Sequence, residues 1–177
     1  MSKYDEIKME KINEIKLHVE GNSKQMDEIV NDIILPYVEE LDKYVAHIDS
    51  RLCEKTNPPS DAELETFCLN LSTLIYFAGG MCEQLGLRSS IASAVYKEMY
   101  NTSRDSIQNG TVADKNALAE LQSQQEQLVD IAYKSAYKIV KSKVDNAQEL
   151  LSSCKKAISR RMQEASLTNI SGNISNH

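Results

Sequence analysis

The chain has 177 residues, a formal net charge of −6, no Trp, two Phe, and only six Gly and three Pro. So few turn-forming residues exclude a many-stranded β fold, and the length bounds a single domain whose core must come from Leu, Ile, Val, Ala and Met. The charge is unevenly placed, with net values of −5 over residues 1–58, −6 over 59–130 and +5 over 131–177, so only the last segment is suited to a polyanion.

Ile7, Ile12, Ile15 and Val19 mark a short first helix that Gly21-Asn22 should end, and no signal-peptide pattern is read in residues 1–16. From Met26 to Leu52, apolar residues recur at steps of three and four, which predicts a second helix. Pro36 should kink or break it near Leu35, and Asn57-Pro58-Pro59 closes this acidic segment, 1–58.

Ser60-Asp61-Ala62-Glu63 reads as a capping box opening a helix with Leu64, Phe67, Cys68, Leu71, Leu74, Ile75 and Ala78 on its apolar side. Gly79-Gly80 is expected to bend that helix or allow close packing, and Gly86 to stop it. Ile91, Val95, Met99 and Tyr100 mark a fourth helix, ended by Asn109-Gly110, so that 59–110 forms a central helical pair. Leu69 to Met81 is the most apolar stretch, too short and too polar to span a bilayer.

Thr111 to Asp114 is a second capping-box start. After it, Leu118, Leu121, Leu128, Ala132, Ala136, Val140, Val144, Ala147, Leu151, Cys154, Ile158 and Met162 form the seam of one long helix over 111–167. Unbroken, some fifty residues would reach about 75 Å, so this helix is expected either to break near Asp145-Asn146 or to protrude and pair with another subunit. The Ser- and Asn-rich end, Ser166 to His177, reads as a disordered tail. The four cysteines form no CxxC pair and read as small core residues of a reducing, cytoplasmic compartment.

Lys134, Lys138 and Lys141 follow i, i+4, i+7 spacing, which lines their ammonium groups along one helical face. Such a row can track a phosphate backbone, with Tyr133 or Tyr137 near enough to stack on a base. A plain solvated face is the competing reading. Lys155-Lys156 and Arg160-Arg161 add cations near the helix end, where they also interact favourably with the helix dipole.

Glu39-x-x-Asp42 has the spacing of a magnesium-binding pair, but no second acidic pair joins it on a shared face. His18, His47 and His177 stand apart from any ligand partner, and neither a nucleophile elbow nor a phosphate-cradling glycine loop occurs. No enzyme activity, metal or cofactor is expected.

The run Gly110 to Lys115, then Ala117 to Ala119, Tyr133 to Lys143 and Lys155 to Arg161 resembles small all-helical proteins encoded by bacteriophages near their recombination genes. More distantly it looks like the UvsY-type recombination mediators. The resemblance covers roughly residues 96–164 and lies in pattern; the acidic N-terminal half has no counterpart in it. It implies a helical oligomer that binds single-stranded DNA and works beside a recombinase or a single-strand-binding protein. Carried onto this chain, it implies DNA contacts among Lys134, Lys138, Lys141, Lys155, Lys156, Arg160 and Arg161.

The sequence thus predicts an all-α, elongated helical bundle with a long C-terminal helix or helical hairpin. Its expected role is that of a single-stranded nucleic-acid-binding accessory factor, homo-oligomeric and not membrane-bound. The alternative is a phage assembly protein or an inhibitor of a host protein, without nucleic-acid contact.

Overall fold

The computed structural model describes the backbone of residues 3–174 and the side chains of residues 20, 21 and 23–167. Within those residues the chain is all-α: four helices and no strand. They are α1 (Lys3–Leu52), α2 (Asp61–Ser106), α3 (Val112–Gln122) and α4 (Gln124–Ile174). The apolar stripe read at Ile7, Ile12, Ile15 and Val19 lies outside the described side chains, as do His18 and His177.

Two expected breaks in α1 do not occur. The helix continues through Gly21-Asn22 and through Pro36. Pro36 and Asp32, whose carbonyl loses its donor, both lie exposed, where water replaces the missing bond. Likewise α2 runs on through Gly79-Gly80 and Gly86. A glycine costs a helix interior only about 1 kcal/mol, and Leu85, beside Gly86, is fully buried. Gly86 is a point of close approach: a Cβ there would stand 3.0 Å from Cε2 of Tyr137.

The predicted 111–167 helix breaks, but at Ser123 and not at Asp145-Asn146. Ser123 is fully buried with φ −102° and ψ 17°, and the Ala119 carbonyl accepts both its N–H at 3.0 Å and its hydroxyl at 2.8 Å. Thr111 opens α3 with both halves of the capping box: its hydroxyl accepts from the Asp114 N–H, and Asp114 accepts from the Thr111 N–H. Gly110 supplies the turn before it with φ +118°, a left-handed conformation that glycine adopts without strain. Helical backbone extends through Ile174, beyond the point where the tail was expected to lose order; residues 175–177 lie outside the described set.

Packing divides the chain into two compact units: Met1–Pro36 with Leu85–Tyr137, and Tyr37–Gln84 with Lys138–His177. The second unit has the conventional core. Leu41 and Ile48 of α1 meet Leu64, Phe67, Cys68, Leu71, Ile75 and Ala78 of α2, together with Val144, Ala147 and Cys154 of α4. Many of these recur every seven residues, two turns, which keeps one seam facing inward along each helix.

The same unit is tied at its loop end. Arg51 grips Glu63 through two points, Nε to Oε1 at 2.7 Å and Nη2 to Oε2 at 3.0 Å, which joins the end of α1 to the start of α2. Glu63 also takes its place in the predicted capping box, with its N–H donating to Ser60 Oγ at 3.2 Å. The Arg51 guanidinium, with help from the Ser60 N–H, holds the Glu63 carboxyl below its usual range.

The first unit is built differently. Outside α1 its buried side chains are Leu85 and the smaller Ser89, Ala92, Ala119, Ser123, Asp130, Ala132 and Ala136 among the described residues. The larger residues read as its apolar seam, namely Ile91, Val95, Met99, Leu118, Leu121 and Leu128, are exposed instead. Small side chains let helix backbones approach closely, and the bulkier ones are left facing out.

Candidate functional site

The structure sorts the seven predicted basic residues into two groups. Lys134, in the first unit, bonds Asp130 at 2.6 Å. Asp130 is only 4 % exposed and also accepts from the Ser93 hydroxyl at 2.5 Å. Burial pushes its carboxyl up, but the Lys134 and Ser93 hydrogen bonds and the charges of Lys134 and Lys97 outweigh that and hold it below the usual range. Arg161 is turned to the start of α2, donating to the Pro59 carbonyl at 2.8 Å and Asp61 at 2.9 Å. Arg160 pairs with Glu164 at 2.9 Å on the surface.

The remaining four, Lys138, Lys141, Lys155 and Lys156, are exposed on α4 in the second unit, and none forms an ion pair among the described residues. Eighteen residues separate the first from the last, about 27 Å along the helix, and all four fall within roughly 100° of its circumference. Lys143, between them, faces inward and bonds Asp42 at 2.6 Å. Asp145 and Glu149 also sit on α4 between the two lysine pairs, so the surface is basic at its ends and mixed in the middle.

Opposite that middle stretch lies a feature the sequence reading missed. Tyr76 and Phe77 on α2 are 77 % and 61 % exposed, with their rings edge-to-face at 5.5 Å. With Gly79, Gly80, Gln84 and Gln148 they line an open groove of about 580 Å³. Nothing lies within 4 Å of where a Cβ would stand on either glycine, so that stretch of α2 is bare backbone. The close packing expected at this pair does not occur.

Two contacts fix the register of the two helices: Arg161 bonds Asp61 at 2.9 Å, and Gln148 lines the same groove as Ile75 and Tyr76. Burial pushes the Cys68 thiol up while the charge of Lys155 pulls it down. Burial and Glu83 raise the Cys82 thiol while Lys141 lowers it, with Asp145 a further raising influence. Asp61 and Tyr76 along α2 thus answer Arg161 and Gln148 backwards along α4, so the two helices run antiparallel here, with Gln148 level with Ile75 and Tyr76. Lys141, Gln148 and Lys155 are spaced by seven, which places a lysine two turns to either side of the aromatic pair on one face of α4.

The stacking residues read from the sequence, Tyr133 and Tyr137, lie on α4 before Lys138. Both belong to the first unit and are half-buried, Tyr137 against Gly86 and Tyr133 in an open apolar groove of about 580 Å³ with Ile91, Val95 and Val129. A signal for the exposed pair on α2 was available: Tyr76 and Phe77 follow Ile75, and only one residue of three successive apolar ones can lie at the centre of a helix's buried stripe.

The acidic pair Glu39 and Asp42 is divided between Lys43, at 2.8 Å, and Lys143. Among the described residues, no three potential metal ligands converge. Cys68, Cys82 and Cys154 are buried and Cys53 is exposed, all four as free thiols. Among the described residues, no helix is long and apolar enough to cross a membrane. The chain matches no family model, no curated protein and no solved structure.

Proposed function

We propose that this protein binds single-stranded nucleic acid through the exposed lysines of α4, and does so as a homo-oligomer. The observation that carries the reading is the separation of the basic residues. Lys143 and Arg161 are engaged in contacts between helices, whereas Lys138, Lys141, Lys155 and Lys156 are presented outward without a carboxylate partner among the described residues. Unpaired cations on one helical face favour a polyanion, because binding releases the counterions condensed on its phosphates. In its narrower form the reading is an accessory factor for phage recombination or replication, acting beside a recombinase or single-strand-binding protein.

Self-association fits the first unit. Its exposed Leu87, Ile91, Leu121 and Leu128 are large apolar side chains on a unit whose buried residues include several alanines and serines. A second copy covering them would multiply weak lysine contacts along one strand. The test of the whole reading is fluorescence anisotropy of a labelled oligothymidylate at about 50 and 200 mM salt, together with light-scattering mass. Binding that weakens steeply with salt, and a mass above the 19.9 kDa of one chain, are expected. No binding at the lower salt overturns the nucleic-acid reading, and a monomer at all concentrations overturns the oligomer.

A further inference from the structure

We infer that Tyr76 and Phe77 form a stacking platform for unpaired nucleobases, with the phosphates of the same strand held by Lys141 and Lys155; the inference rests on the single-strand-binding reading above. Edge-to-face aromatic pairs ordinarily contribute to a core, where burial of their large apolar area stabilises the fold. This pair lies outside: 77 % and 61 % of the two residues' surfaces face solvent. They line an open groove in which two glycines leave the helix backbone uncovered.

Charge selects the occupant. Lys141 and Lys155 lie on the α4 face that carries Gln148, itself part of the groove, and each stands about 10 Å from it along the helix axis. An apolar ring surface between two unpaired cations matches a ligand that alternates flat π faces with negative charge. A single-stranded nucleic acid has that chemistry, and stacking there is tolerant of sequence because every base has a π face. A duplex, whose bases are already stacked on one another, does not. The Gln148 amide supplies a donor and an acceptor for a base edge or sugar at the same level.

The test separates bases from phosphates. Full-length protein is titrated with a fifteen-residue oligothymidylate and with an abasic oligomer of the same length and charge. The wild type is expected to prefer the first by roughly tenfold, the scale of one or two stacked bases. Tyr76→Ala/Phe77→Ala should erase that preference while leaving abasic affinity unchanged, and its melting temperature reports that the fold is intact. Tyr76→Trp should keep the preference and, because the natural chain has no Trp, should show fluorescence quenched by the oligothymidylate alone.

Equal affinity for the two oligomers, or a preference that survives in the double alanine variant, overturns the stacking platform while leaving phosphate binding in place. Absence of binding to either oligomer overturns both. Indole fluorescence of the Tyr76→Trp variant that changes with protein concentration in the absence of any oligomer assigns the groove to a second copy of the chain and also overturns the inference.

Discussion

Lys143 bonds Asp42 at 2.6 Å, joining α4 to α1 in the second unit, while Lys141, two residues earlier on the same helix, is exposed and meets no carboxylate among the described residues. A two-residue step turns a side chain by about 200° around a helix, which is enough to convert an internal strut into a surface cation. Replacing each by Ala should therefore separate two effects. Lys143→Ala is expected to destabilise the protein by about 0.5 kcal/mol, the scale of a partly exposed pair. Lys141→Ala should leave the melting temperature unchanged and weaken binding to oligothymidylate.

Asp130 links α2 to α4 in the first unit through Ser93, and it accepts from Lys134 within α4. Its carboxyl is held below the ordinary range, so its contribution is present at neutral pH and disappears as pH falls below that range toward its own lowered value. Asp130→Asn should lower the melting temperature at pH 7, by the equivalent of about 1 to 3 kcal/mol for a buried group losing a charged hydrogen bond. The gap between the variant and the wild type should narrow as pH approaches 3. A gap that widens on acidification would contradict the assigned sign.

Gly80 and Gly86 both lie inside α2, six residues apart, but in different surroundings. A Cβ on Gly80 meets nothing within 4 Å, whereas on Gly86 it stands 3.0 Å from the Tyr137 ring. Alanine at position 80 should raise stability by roughly 0.5 to 1 kcal/mol through helix propensity. At position 86 the same gain is opposed by displacement of Tyr137, so Gly86→Ala should melt below Gly80→Ala. Thermal unfolding of the two variants side by side checks this.

Burial pushes the thiols of Cys68, Cys82 and Cys154 above their ordinary values, which disfavours the reactive thiolate. Cys53 is exposed just beyond the end of α1. An aromatic disulfide reagent should label one thiol rapidly in the native protein and all four in denaturant. Rapid labelling of more than one would place a second cysteine at the surface.

Helical periodicity made the fold class and most of the second unit's core legible in the sequence, because apolar residues at steps of three and four pack wherever partners of the same period face them. Leu64, Phe67, Leu71 and Ile75 lie where that rule puts them. Breaks were less legible. Glycine and proline penalise a helix locally, and at Gly21, Pro36 and Gly86 the continuous helix absorbs that penalty. Ser123 carries no breaker signature: the chain leaves helical geometry there at φ −102° and ψ 17°, although its N–H still bonds the Ala119 carbonyl.

The candidate site was half legible. Spacing placed Lys138 and Lys141 on one face, but the acids that bind Lys134 and Arg161 are Asp130 and Asp61. The first lies one turn away and was countable. The second is brought close only by tertiary structure. The pairing of Tyr76 with the lysine row depends on the register of two antiparallel helices, which one helix's periodicity does not contain.

The measurement closest to the central claim is the salt dependence of oligothymidylate affinity for the wild type and for a Lys138/Lys141/Lys155/Lys156→Ala variant. Each single-strand phosphate contact adds about 0.7 to the steepness of log affinity against log salt, so losing four should flatten that slope by about 3 units. A Lys143→Ala control, which removes a partly exposed strut between helices and none of the four unpaired lysines, should keep the wild-type slope. An unchanged slope in the fourfold variant, or no affinity in the wild type at about 50 mM salt, would contradict the account.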